Sequence, residues 1–171
     1  GLIVLYKLGD AFAGALTTSF LLRGMEFSSE DIGLVRAFGI GATILGAFIG
    51  GGLMPQLGLF RSLMVFGLLQ ALSNLSFLWL AWAGKSYAVM AFAVGFENLT
   101  GGMGTAAFVA LVMSLCNHRY TATQFALLSS VEALGRVFLG WPAAKLVGLA
   151  GWGPFFFVTF LAALPGLWLL W

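Results

Sequence analysis

The sequence predicts an all-α membrane protein of six transmembrane helices. Three observations predict it. Of 171 residues, 61% are hydrophobic and only 8% are charged, against about 45–50% and about 25% in soluble domains; there is too little polar surface to coat a water-soluble body. The apolar residues fall into six runs, each close to or above the roughly 20 residues that carry a helix across the hydrocarbon core. The runs are continuously apolar, whereas membrane β-strands alternate over about ten residues. The rest of the composition closes other classes. The 24 glycines have no triplet period, which excludes collagen. One cysteine, Cys116, and one histidine, His118, exclude a disulfide framework and a Cys- or His-based metal centre. The net charge of +2 comes from scattered residues, so no basic stripe marks a nucleic-acid partner. There is no GxGxxG or Walker-type loop, and no cofactor is implied.

The first run covers Leu2 to Leu22 and ends at Arg23-Gly24, before the polar stretch Met25 to Asp31. The second runs from Ile32 to Met54 and is predicted to stop at Pro55, with capping-box spacing from Ser28 to Asp31 ahead of it. The third runs from Ser62 to Ala83 and stops at Gly84-Lys85-Ser86. The fourth spans Tyr87 to Cys116 and stops at Asn117-His118-Arg119. The fifth spans Ala122 to about Leu149, and the last Trp152 to Trp171. Tyr6, Trp79, Trp82, Tyr87, Trp152 and Trp171 lie near span ends, where amphipathic rings prefer to sit. Six spans put both termini on one side. Arg61 and Arg119 on one face against Arg23, Lys85 and Lys145 on the other leave the orientation undecided by the positive-inside rule. The chain opens on Gly1, enters an apolar run at once, closes on Trp171 inside another, and reads as a fragment of a longer membrane protein.

Ionisable residues inside a span cost roughly 2.5–3.5 kcal/mol each on insertion scales, so they face a cavity or a partner. Asp10, Arg36, Glu97, Glu132 and Arg136 qualify, with Lys7 near the start of its span. That is too many for a purely structural bundle and suits a solute pathway. Lys7 and Asp10 are three apart, and Glu132 and Arg136 are four apart in the favoured acid-then-base order. Each pair reads equally as an internal ion pair that lets its helix insert. Arg36 is only about four residues into its helix and has a snorkelling alternative. Glu97 lies about ten residues into its helix, roughly 15 Å deep, with no basic residue within four positions in sequence. Its other reading is a protonated structural carboxyl; if the pathway carries protons, Glu97 is the expected carrier, with Asp10 and Glu132 as the other coupling candidates. Gln70, Asn74, Asn98 and Gln124 add neutral amides within the spans. Such amides hold membrane helices together, and as a set they also suit sugar hydroxyls. With Lys7, Arg36 and Arg136 for carboxylates, they form the candidate substrate-binding set, and Phe12, Phe96 and Phe125 offer rings for sugar faces. Gly46 and Gly50 are spaced for close helix approach. Gly101, Gly102 and Gly104 mark either close packing or a point where the helix bends or unwinds. No supported nucleophile–base pair is present, so no catalytic constellation is expected.

The stretch Gly52-Leu53-Met54-Pro55-Gln56-Leu57-Gly58-Leu59-Phe60-Arg61 resembles the Gly- and Arg-containing connection of the major facilitator superfamily, without that connection's acidic residue. The strings Phe96-Glu97-Asn98-Leu99-Thr100-Gly101-Gly102-Met103-Gly104-Thr105-Ala106-Ala107-Phe108-Val109-Ala110-Leu111, Tyr6-Lys7-Leu8-Gly9-Asp10-Ala11-Phe12 and Ala122-Thr123-Gln124-Phe125-Ala126-Leu127-Leu128-Ser129 closely resemble AmpG-type muropeptide permeases. The resemblance runs along essentially the whole chain and matches their C-terminal six helices. Eukaryotic acetyl-CoA transporters look like distant members of the same group.

The resemblance implies that residues 1–171 are one transmembrane domain, half of a twelve-helix fold. It implies a proton-driven importer of anhydromuropeptides in the bacterial inner membrane, serving peptidoglycan recycling and, through it, β-lactamase induction. The C-terminus would be cytoplasmic. The partners implied are the muropeptide, protons, the lipid bilayer and the missing N-terminal six-helix half. The alternatives are a transporter of another anionic solute, such as an acyl-CoA or nucleotide-linked compound, and a non-transporting membrane scaffold, with an intramembrane enzyme last.

Overall fold

A computed structural model of the chain describes Gly14 and residues 16–115 and 121–168. Among residues 121–140, the side chains described are those of 123, 126, 127, 130 and 138. Every regular element described is helical. The first, α1, is α-helical over residues 16–19 and then widens into a π-helical turn, Phe20–Gly24. There the Met25 N–H reaches back to the Phe20 carbonyl at 2.9 Å. Then follow α2 (Ser29–Leu57), α3 (Leu59–Ala83), α4 (Tyr87–Leu115), α5 (Thr121–Ala150) and α6 (Trp152–Trp168). α2 to α5 track the predicted runs; residues 2–13 and 15 of the first run and 169–171 of the last, with Tyr6 and Trp171, lie outside the described residues. Among the described residues, α2, α3 and α4 are long and apolar enough to cross a membrane, which makes this a multi-pass membrane protein.

The start of α2 follows from its cap. Ser28 is extended, its hydroxyl accepts from the Asp31 N–H at 3.1 Å, and it donates to the Asp31 carboxylate at 2.7 Å. The end differs from expectation. Pro55 does not stop α2, which continues to Leu57. Proline removes its own N–H bond and crowds the carbonyl four residues back, a cost that membrane helices tolerate. The stop comes from Gly58, whose φ of +78° suits glycine and whose N–H bonds to the Met54 carbonyl at 2.9 Å. Gly52–Arg61 is therefore not an extended connection but two helix ends flanking Gly58. The glycines of α4 do not break it either, because the helix runs unbroken through Gly101–Gly104.

α2 packs chiefly on α4, and α3 lies between α4 and α6. Two apolar clusters hold the bundle. One joins Phe20, Leu80, Met90, Phe155 and Phe156, around the ends of α1 and α3 and the starts of α4 and α6. Trp152 packs against this cluster, 5.2 Å from the Phe20 ring. The second cluster joins Leu63, Phe66, Met103, Phe108 and Leu111, from the start of α3 and the end of α4. Between the clusters lies a polar belt: Gln70, Ser73, Asn74 and Ser76 on α3 are buried, as is Thr100 beside Glu97 and Asn98 on α4. Halfway along spanning helices, such a belt sits near the middle of the membrane.

One membrane edge is tied by polar contacts. Glu26 has a left-handed backbone (φ +54°), and its carbonyl accepts from Lys85 Nζ at 2.6 Å. The Tyr87 hydroxyl donates to the Asp31 carboxylate at 3.2 Å. The α1–α2 and α3–α4 connections are thereby fastened together.

Candidate functional site

The site is built on the crossing of α2 and α4. Gly46 packs on the Leu99 carbonyl and Gly102 on the Thr43 carbonyl, so a methyl group at either position would run into main chain. This close approach is the predicted use of the Gly46/Gly50 spacing, and Gly50 meets Met103 in the same seam. Across the seam the Thr43 hydroxyl donates to Asn98 Oδ1 at 3.0 Å, while Asn98 Nδ2 donates to the Val94 carbonyl at 2.8 Å. Gly39 leaves room for this amide, since a Cβ there would lie 2.9 Å from Asn98 Nδ2.

Beside the seam opens a cavity of about 480 Å³. Three stripes at helical spacing line it. α1 contributes Gly14, Thr17 and Leu21, and α2 contributes Arg36, Ile40 and Thr43. α4 contributes Val94, Glu97, Asn98, Gly101 and Thr105. Three predicted site residues, Arg36, Glu97 and Asn98, therefore meet in one cavity. Arg36 does not simply reach for the membrane edge; its guanidinium donates to the Thr18 hydroxyl of α1. Glu97 is half-buried within the polar belt. Asn98 has a structural part as well, because its amide bridges α2 and α4.

The other predicted residues are distributed differently. Gln70 and Asn74 are buried on α3, behind α4, and are not among the cavity lining. Lys7 and Asp10 lie outside the described residues, as do Cys116 and His118. Gln124, Glu132 and Arg136 sit on α5, with side chains outside the described set. Phe96 is turned away from the cavity. It stacks on Phe92 at 5.7 Å and borders an apolar groove of about 560 Å³ with Phe38 and Gly95, on another face of the same helix pair. Phe12 lies outside the described residues, and the Phe125 side chain is likewise not described. Sequence reasoning missed Thr17, Thr43 and Thr105. The signal was present: Thr43 is seven residues after Arg36, and Thr105 eight after Glu97, so each shares its helix face with a charged residue. Among the described residues no group of His, Cys, Asp and Glu could hold a metal ion.

Such a cavity has a guanidinium for an anionic group, a carboxyl, and hydroxyls and an amide for neutral polar groups. No family model matches the chain. Curated relatives do. The chain is 54% identical over 170 residues to the anhydromuropeptide permease of Escherichia coli K12, covering 99% of this chain and 35% of that protein. It is 36% identical over 169 residues to an AmpG-named protein of Rickettsia conorii, covering 98% of this chain and 41% of that one. An uncharacterized protein of Haemophilus influenzae is 38% identical over 173 residues, covering 96% of this chain and 40% of its own length. The chain thus spans about a third of the length of the Escherichia coli permease. From the start of α1 to the end of α6 it carries the sequence of one group of proteins, and it belongs to the AmpG-type permease family.

Proposed function

We propose that this chain is the C-terminal six-helix half of a major facilitator transporter that imports anhydromuropeptides across the bacterial inner membrane. The observation that carries the proposal is the 54% identity, over nearly the whole chain, to a protein named anhydromuropeptide permease. The chemistry of the cavity supports it. The solute is a disaccharide with a short peptide, rich in hydroxyls, amides and carboxylates. Arg36 offers its charge to a carboxylate, and Thr17, Thr43 and Thr105 offer hydroxyls. The missing N-terminal half supplies the opposing wall, and transport proceeds by rocking one half against the other around a midplane site. The protein acts as a transporter and not as an enzyme.

Import is driven by protons, and Glu97 is the carrier. A coupling carboxyl must face the pathway and lie between the two membrane faces. Glu97 borders the cavity in the central polar belt. Asp10 and Glu132 remain the alternative coupling groups, and Lys7, Gln124 and Arg136 further contacts for the solute. The test is uptake of labelled anhydromuropeptide by cells lacking their own permease and expressing the full-length protein. Accumulation that collapses with a protonophore is expected. Uptake equal to empty cells rejects the function, and accumulation indifferent to the protonophore rejects the coupling.

A further inference from the structure

Most polar groups of the central belt are satisfied within their own helix. Ser73 Oγ donates to the Gln70 carbonyl at 2.7 Å, and Ser76 Oγ to the Ser73 carbonyl. Thr100 Oγ1 donates to the Phe96 carbonyl at 2.8 Å, and Asn98 Nδ2 to the Val94 carbonyl. Gln70 departs from the pattern. Its side chain is only 6% exposed, and its Nε2 has no hydrogen-bond acceptor among the described residues. A buried amide donor without an acceptor is costly, more so where no bulk water can reach it. Such an orphan calls for an explanation.

Its surroundings supply one. Gln70 extends from α3 toward Gly101 of α4, and a Cβ on Gly101 would stand 3.7 Å from Nε2. Gly101, which has no side chain, also borders the cavity and stands next to the amide. We infer that Gln70 is a binding donor of the cavity, reaching past Gly101 to an acceptor oxygen, a carbonyl or carboxylate of the solute or a water bound with it. The inference rests on the proposed transport function for the identity of that solute. Gln70 is thereby a contact residue on a helix behind the lining, admitted by the missing side chain of its neighbour. Anhydromuropeptides offer several such oxygens, in their acetamido groups and peptide bonds.

Two substitutions separate this role from a structural one. Gln70→Leu removes the donor at similar volume. Gly101→Ala keeps it but places a methyl group in the gap, at an ordinary van der Waals distance from Nε2. In full-length protein reconstituted in proteoliposomes, each should raise KM for labelled anhydromuropeptide about three- to ten-fold, as expected for one neutral hydrogen bond. The double variant should be no worse than Gln70→Leu alone, because both changes remove one contact. Melting temperature should not fall in Gln70→Leu, since an orphaned donor is being removed. A KM within two-fold of wild type for both variants, or a clear drop in melting temperature for Gln70→Leu, overturns the inference. A rise confined to peptide-bearing solute assigns the oxygen to the peptide. An equal rise with the peptide-free disaccharide assigns it to the sugar or to a bound water.

A second measurement does not depend on the solute. In a Cys116→Ser background, Gln70→Cys should react with a small aqueous methanethiosulfonate, and Gly101→Ala should slow that reaction about five-fold or more, as a plug in the gap should. No reaction, or equal rates with Gly and Ala at 101, overturns the inference even if the protein proves to carry a different solute. Absence of muropeptide uptake by the wild type counts against the proposed function alone.

Discussion

Gly46→Ala is the sharpest perturbation of the α2–α4 seam. The added methyl group would meet the Leu99 carbonyl, and the atoms in the way are main chain, not the movable end of a side chain. The two helices must separate along their length, loosening Gly50 on Met103 and Gly102 on Thr43. Forcing extra volume into a packed contact costs about 1–3 kcal/mol. Alanine's better helix propensity returns up to about 1 kcal/mol, so the net change is destabilising. Gly51→Ala is the matched control, because a Cβ at 51 meets nothing within 4 Å and only the propensity gain remains. Thermal unfolding of the purified full-length protein in detergent should rank Gly51→Ala at or above wild type and Gly46→Ala clearly below. Uptake should fall with Gly46→Ala as well, since the cavity is walled by the two helices that part. If Gly46→Ala melts with or above Gly51→Ala, the seam does not carry the bundle and the reasoning fails.

Glu97→Gln, which mimics the protonated carboxyl, should still exchange muropeptide down its gradient but lose proton-driven accumulation; wild-type accumulation would move the coupling to Asp10 or Glu132. Thr43→Val keeps shape but removes the hydroxyl facing Asn98, and should lower stability by about 0.6 kcal/mol, up to roughly 2, in denaturant titrations. The 171-residue segment expressed without a partner half should give no uptake above empty cells, because the pathway of this architecture lies between two repeats.

The bundle is legible in the sequence because a membrane helix must satisfy its own backbone, leaving run length as the main variable. The cap at Ser28 and the stops at Gly58 and Gly84 follow from local chemistry. Pro55 does not act as the expected stop because membrane helices tolerate proline, and the positive φ that ends the helix belongs to Gly58 three residues later. For the site, charge is a good guide within a helix and a poor one between helices. Arg36 and Glu97 stand out as costly residues, and both border the cavity. Gln70 and Asn74 stand out equally, yet they lie behind α4, because their spacing fixes the face of α3 but not what α3 packs against. Phe96 and Asn98 are two residues apart and serve different faces, the apolar groove and the cavity. Only the crossing with α2 decides which face is which.

Arg36 gives the test that joins this geometry to the solute. The residue is exposed on α2, lines the cavity and donates to Thr18 on α1. A guanidinium has five N–H donors in a rigid fork, so the contact with Thr18 leaves it able to grip a carboxylate with two parallel bonds. Lysine keeps the charge but not the fork. If Arg36 reads a carboxylate of the peptide, Arg36→Lys should raise KM for peptide-bearing anhydromuropeptide about ten-fold, the equivalent of one charge-assisted bond of about 1.5 kcal/mol. KM for the peptide-free disaccharide should change less than two-fold. Thr18→Val tests the competing explanation, that Arg36 matters because it ties α1 to α2. It removes the hydroxyl and leaves the guanidinium, so it should spare both solutes. Equal losses on both solutes with Arg36→Lys, reproduced by Thr18→Val, would make Arg36 a brace between two helices rather than the group that recognises the peptide.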